Sequence, residues 1–139
     1  MKTVVPDASV LLKWVVPGPP EEDTEQALQV RQAALDGAVL LRVPSLWIYE
    51  VGDTLSRRFP ERSQDLLTAL IDFGLEETHP SAEWLPRIVH LTQAHGVTFY
   101  DAAYHALAIV YGGVFVTADA RYVRRTKRVG NVMALRNWR

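Results

Sequence analysis

Cysteine is absent from this chain. Disulfides and thiolate metal centres are therefore excluded, and a reducing, cytoplasmic setting is expected. Long apolar runs are missing as well. The stretch after Lys2 is interrupted by Asp7 and Lys13, so neither a leader peptide nor a spanning helix is expected, and no membrane partner. Histidine is scarce, and His79, His90, His95 and His105 show no i,i+4 pair and no metalloprotease spacing, which points them to surface or packing roles. Gly112-Gly113 lacks the Lys-Ser/Thr that a phosphate loop requires, and no nucleophilic triad is supported. Acids are missing after Asp119. Arg121, Arg124, Arg125, Lys127, Arg128, Arg136 and Arg139 all follow it, so a chain of formal charge −1 ends in a basic block.

What is present suits one soluble globular domain over residues 1–139. The chain is 48% hydrophobic and 22% charged, and at this length folding buries roughly two-thirds of the surface exposed by the unfolded chain. The spacing predicts a strand over residues 2–6 and a helix over 8–16 that turns Val10, Leu11, Trp14 and Val15 inward. Pro17-Gly18-Pro19-Pro20 breaks the chain. A helix over 21–35 offers Ala27, Leu28, Val30, Ala34 and Leu35 for packing, and an almost wholly apolar strand follows over 38–43.

A helix from Pro44-Ser45 to about 58 carries Glu50 among apolar neighbours. The next, over 60–73, has a wide face of Leu66, Leu67, Leu70 and Ile71, part of it available to a partner. A short strand over 75–78 precedes a helix over 80–95 in which Pro86 is an expected irregularity. Thr98-Phe99-Tyr100-Asp101 has capping-box spacing and opens an alanine-rich helix to about 110. A strand over 114–117, a basic helix over 119–127 and a last strand over 131–135 complete the chain. This alternation predicts a three-layer α/β/α sandwich around a central parallel sheet.

Loops at the carboxyl ends of parallel strands share one edge, where ligands bind. Asp7 and Asp119 follow strands directly, Glu50 lies within two turns of one, and Asp101 sits in the first turn of a helix leading to another. Each has a plain structural use: Asp7 and Asp119 as N-caps, Asp101 as part of its capping box. Glu50 is harder to explain that way, because no basic residue lies three or four positions from it. Asp53, by contrast, has Arg57 at helical spacing. Four carboxylates at one edge repel one another unless a cation holds them ionised, and oxygen-only ligands favour Mg²⁺ or Mn²⁺. Ser9 and Thr117 are either caps or groups that orient the acids.

Asp7-Ala8-Ser9, the 44–55 segment with Glu50, the run from Thr98 through Ala108, and Thr117-Ala118-Asp119 together resemble a PIN-domain protein, with the VapC-type toxins of prokaryotic toxin-antitoxin pairs as the nearest likeness. The resemblance implies a sheet order 3-2-1-4-5 and a Mg²⁺- or Mn²⁺-dependent endoribonuclease leaving 5′-phosphate and 3′-hydroxyl ends. It implies Asp7, Glu50, Asp101 and Asp119 as the metal-binding and catalytic acids, with Ser9 and Thr117 supporting. Arg121, Arg124, Arg125, Lys127 and Arg128 would flank the site and bind RNA backbone. A cognate antitoxin protein and a homodimer are the implied partners.

Two positions depart from the family pattern. Pro6 stands where an aliphatic residue is usual, so the strand is expected to end one residue early. Asp53 stands where Asn is common and adds negative charge. Two rival readings are a non-catalytic PIN-like module that binds RNA or protein, and a haloacid-dehalogenase-type phosphatase. The second requires another Asp where Ser9 stands.

Overall fold

The structure, a computed structural model, describes residues 1–139. Strands β1 (Lys2–Pro6), β2 (Val39–Pro44), β3 (Glu76–Thr78), β4 (Val114–Thr117) and β5 (Val132–Ala134) form one sheet in the order β3-β2-β1-β4-β5, parallel throughout. The helices are α1 (Ala8–Leu12), α2 (Thr24–Leu35), α3 (Trp47–Arg58), α4 (Ser63–Phe73), α5 (Trp84–His95), α6 (Phe99–Val110) and α7 (Ala120–Thr126). Right-handed crossovers put α1 to α4 on one face and α5 to α7 on the other, because the chain reverses its direction across the sheet after β3. The α/β/α sandwich and its strand order match expectation. No helix is long and apolar enough to cross a membrane.

The central strands are buried on both sides, which explains their continuous apolar sequence: Val4, Val5, Val114, Phe115 and Val116 all lie in a core cluster of 29 residues. Helix α6 packs across β1, β2 and β4. Ala102, Ala103, Ala106 and Ala108 are all buried there, and their small volume lets helix and sheet approach closely. A larger residue at one of them would cost about 1–3 kcal/mol through overpacking.

Several boundaries differ from expectation, each for a local reason. Pro6 remains in its strand, opposite Val116. Asp7 N-H donates to Val116 O at 3.2 Å, so alternation turns the missing Pro6 N-H toward β2, whose register with β1 has already ended at Val4↔Leu41. Helix α1 stops at Leu12 because the following amides bond three residues back and tighten the chain, and Trp14 Nε1 then donates to Ala27 O at 2.8 Å. Pro86 causes no irregularity. It occupies the first turn of α5, where a backbone donor has no intrahelical acceptor.

Leu35 does not pack; it is 62% exposed at the last turn of α2. On α4, Leu66 and Leu70 are spent on the core, which leaves Ile71 and part of Leu67 at the surface. Gly112-Gly113 lies before β4, at the strand ends opposite the acids. A Cβ on Gly113 would stand 2.1 Å from Thr3 O, so its glycine permits close approach of two backbones.

Candidate active site

The sheet reverses its winding between β1 and β4, the place where ligands bind in open α/β sheets. Asp7 leaves β1 at that point, 8% exposed. It caps α1, accepting from Val10 N-H at 3.3 Å on Oδ1. The Ser9 hydroxyl donates to the same oxygen, and Thr117 Oγ1 donates to Oδ2 at 2.5 Å.

Both hydroxyls are themselves fixed by the chain leaving β4. Ala118 N-H donates to Ser9 Oγ at 3.2 Å and Asp119 N-H to Thr117 Oγ1 at 3.0 Å. Each hydroxyl receives one hydrogen bond and gives its own proton to Asp7, so the strand ends interlock around one carboxylate. Burial pushes the Asp7 carboxyl up to about 6; the donated hydrogen bonds oppose this, and the Asp101 charge adds to it.

Glu50 stands in the first turn of α3, half-buried. Its Oε1 accepts from Tyr104 OH at 2.7 Å. Burial raises the Glu50 carboxyl, the Tyr104 bond offsets part of that, and Asp101 raises it further. Tyr104 is buried on α6, and burial with the neighbouring acids lifts its phenol far above the ordinary range. It therefore stays a proton donor and fixes one oxygen of Glu50. Sequence reasoning missed Tyr104. It lies three residues after Asp101, but nothing in the chain links it to Glu50, 54 positions earlier.

Asp101 sits at the third position of α6, where its N-H donates to the capping Thr98 Oγ1 at 3.1 Å. Its carboxyl is raised by partial burial and by the charge of Asp119, against a hydrogen bond from Thr98. Asp119 caps α7, accepting from Tyr122 N-H at 3.1 Å, and is exposed. Charge coupling thus runs through Asp101, which acts on Asp7 and Glu50 and is acted on by Asp119.

The four acids share the rim, but no trio of Asp, Glu or His side chains is gathered about one point in the geometry of a finished ligand set. Asp7 is turned to Ser9 and Thr117, and Glu50 to Tyr104. The donor set still fits a hard divalent cation. It is all oxygen, three of its members are raised toward protonation, and none of the four belongs to an ion pair, since the salt bridges are Lys13–Glu21, Arg57–Asp53 and Arg58–Glu21. The extra negative charge of Asp53 is met by Arg57 at 3.1 Å.

The basic block divides. Arg121 and Arg125 line a groove of about 200 Å³ together with Asp101 and Asp119. Arg125 Nη1 also donates to Gly96 O at 2.7 Å, closing the end of α5. Arg124, Lys127 and Arg128 are exposed but lie outside that groove. His105 packs, as expected: Nε2 meets Gly130 O at 2.7 Å and Nδ1 meets Tyr122 OH at 2.8 Å. A carbonyl only accepts, so Nε2 carries the proton and Nδ1 accepts from the phenol.

Comparison with known proteins gives the same family as the residues. The PIN domain family matches residues 4–128. Ribonuclease VapC3 of Pyrobaculum aerophilum is 36% identical over 132 residues, covering 90% of this chain and 95% of the relative. Among solved structures, PAE2754 from Pyrobaculum aerophilum superposes with a TM-score of 0.66 at 21% identity, covering 97% of this chain and 92% of the other. VapBC2 from Rickettsia felis, bound to a DNA fragment from their promoter, superposes with a TM-score of 0.67 at 17% identity, covering 95% and 96%. With the family match spanning most of its length and a relative this similar from end to end, the chain belongs to the PIN domain family.

Proposed function

We propose that this chain is an endoribonuclease, the toxin of a toxin-antitoxin pair, built as one domain over residues 1–139 and working in the cytoplasm with Mg²⁺ or Mn²⁺. The observation that carries this reading is Asp7: a carboxylate buried at the sheet's switch point, raised to about 6, coupled to Asp101 and without a basic partner. Buried carboxylates raised in this way beside a second acid are concentrated at functional sites. The 36% identity to a ribonuclease supports RNA as the substrate class.

Asp7, Glu50, Asp101 and Asp119 would hold the cation, while Ser9, Thr117 and Tyr104 keep two of the carboxylates from swinging away. When bound, the metal supplies charge neutralisation at the scissile phosphate and a more acidic water. Arg121 and Arg125 face the same groove and would bind RNA phosphates beside the acids. Arg124, Lys127 and Arg128 extend that positive surface along the strand's path and add a salt-sensitive affinity. The products would carry 5′-phosphate and 3′-hydroxyl ends. The VapBC2 assembly supports an antitoxin partner for this chain. A homodimer is the proposed assembly, with the exposed part of α4 as its candidate surface; sedimentation of the purified chain checks it.

The decisive test incubates the purified chain, free of any partner, with end-labelled structured RNAs in Mg²⁺, Mn²⁺ or EDTA beside Asp101→Asn. Cleavage that needs a divalent cation and is lost in the variant supports the reading. Equal cleavage by both proteins marks a contaminant, and absence of cleavage across a broad RNA set favours the non-catalytic binding module.

A further inference from the structure

Outside the acids and the basic stripe, the rim carries two large rings that the fold does not use. Tyr49 is 79% exposed and Tyr100 is 62% exposed. They come from different helices, α3 and α6, yet line one groove of about 460 Å³ with Leu46, Glu50 and Asp53. Each is the sequence neighbour of an acid of the site, Tyr49 beside Glu50 and Tyr100 beside Asp101. Phe99, also partly exposed, meets the Tyr100 ring edge-on at 6.4 Å between centroids, which restricts the ring's freedom from behind. Neither phenol has a hydrogen-bond partner within the chain, in contrast to Tyr104 and Tyr122.

We infer that Tyr49 and Tyr100 form a stacking platform for unpaired bases of the RNA, on the opposite side of the acids from Arg121 and Arg125. The inference rests on the proposed ribonuclease reading and deepens it by naming the side chains that would take the bases beside the cut. Phosphates need cationic partners and bases need π-faces, and the rim offers both in sequence. Positive side chains border Asp101 and Asp119, and exposed rings border Glu50. A strand crossing the acids would set its backbone against the first group and its bases against the second. Bases paired in a duplex have their faces covered by their neighbours, so a duplex gains nothing from the rings. The cationic side chains bordering Asp101 and Asp119 argue for a nucleic acid over a protein segment. The only acid in the tyrosine groove besides Glu50 is Asp53, which Arg57 pairs.

The test measures binding apart from cleavage. In an Asp101→Asn background, fluorescence anisotropy gives the Kd of a short labelled single-stranded RNA, the same sequence as a duplex, and an abasic strand of equal length, for Tyr49→Ala, Tyr100→Ala and the corresponding Phe variants. Each Ala variant should weaken single-stranded binding about fivefold or more. The Phe variants should stay within about twofold of the parent, and the duplex and abasic strand should bind Ala and parent proteins alike. Both tyrosines are exposed, so the Ala variants keep the core. Unchanged single-stranded affinity in both Ala variants overturns the inference and leaves the rings to a protein partner. Equal losses on the abasic strand overturn it too, since no base is there to stack. Tyrosine-dependent binding by a chain that never cleaves would sink the nuclease reading and leave this inference standing; cleavage with tyrosine-independent binding would do the reverse.

Discussion

Asp7 and Glu50 are both carboxylates pushed upward by burial, yet the fold holds them in different ways. Asp7 is clasped on both oxygens by Ser9, Thr117 and a backbone amide, and those hydroxyls are pinned in turn by the chain leaving β4. Glu50 leans on a single donor, Tyr104, and keeps its second oxygen unbonded. The difference follows from where each sits. A strand end at the switch point is surrounded by other strand ends, which supply many fixed donors. A residue on a helix side can be reached only by whatever side chain crosses from the opposite layer. Asp7 is thus positioned by several donors that the backbone pins in turn, and Glu50 by one replaceable phenol.

The largest test of that contrast is Asp7→Asn. Cleavage should fall roughly a hundredfold or more, as expected when a group that holds the reacting charge is lost. Stability should move the other way. The Asp7 carboxyl is raised from 3.8 to about 6, so the folded state holds a proton across that window which the unfolded state has released. Its contribution is greatest below about pH 4 and is lost as pH rises through 6, a gap on the order of 3 kcal/mol. At pH 7.5 without metal, Asp7→Asn should therefore be more stable than the parent by about 1–2 kcal/mol, and by nothing at pH 4. Thermal melts at the two pH values check this. Mn²⁺ should raise the parent's Tm at pH 7.5 and leave the variant's unchanged.

Tyr104→Phe tests the single-donor side. Its ring still packs against Phe115, so the fold should hold, while Mn²⁺ affinity falls about tenfold and the KM for RNA stays near the parent value. Calorimetric titration with Mn²⁺ reads the first quantity and steady-state kinetics the second. Thr117→Val is the matching change on the Asp7 side. It removes one donor of several, costing about 1–2 kcal/mol of stability, and should raise the Asp7 carboxyl further, as carbon-detected NMR titration would show. If Thr117→Val harms metal binding more than Tyr104→Phe does, the contrast drawn between the two acids is wrong.

Smaller effects are expected at the surface. Arg121→Ala should lower RNA affinity severalfold and reduce the slope of log K against log salt by about one. Arg57→Ala breaks only an exposed i,i+4 pair with Asp53 and should change stability by less than about 0.5 kcal/mol.

Much of this fold was legible from local pattern. The strand at Lys2–Pro6, the strand at Val114–Thr117 and the capping box at Thr98 stand where their residues put them, because apolar runs and caps act over a few residues. Misplaced boundaries have non-local causes. Pro6 stays in its strand since the neighbour it cannot serve has already left the ladder. Leu35 looked like a core residue by spacing, but α2 buries only Ala27 and Val30. The full extent of the basic block was visible in sequence, whereas only the fold could say that Arg121 and Arg125 face the acids and that Arg125 also closes α5.

By itself the sequence determined that alternating strands and helices would make a parallel sheet, and that Asp7, Glu50, Asp101 and Asp119 would arrive near its carboxyl edge, because periodicity and strand-end position are local properties. Tertiary structure alone decided what holds those acids. Thr117 reaches Asp7 across 110 positions and Tyr104 reaches Glu50 across 54, distances over which no spacing rule operates. Hydrogen bonds need contact within about 3 Å, and contact between remote segments exists only once the layers have packed.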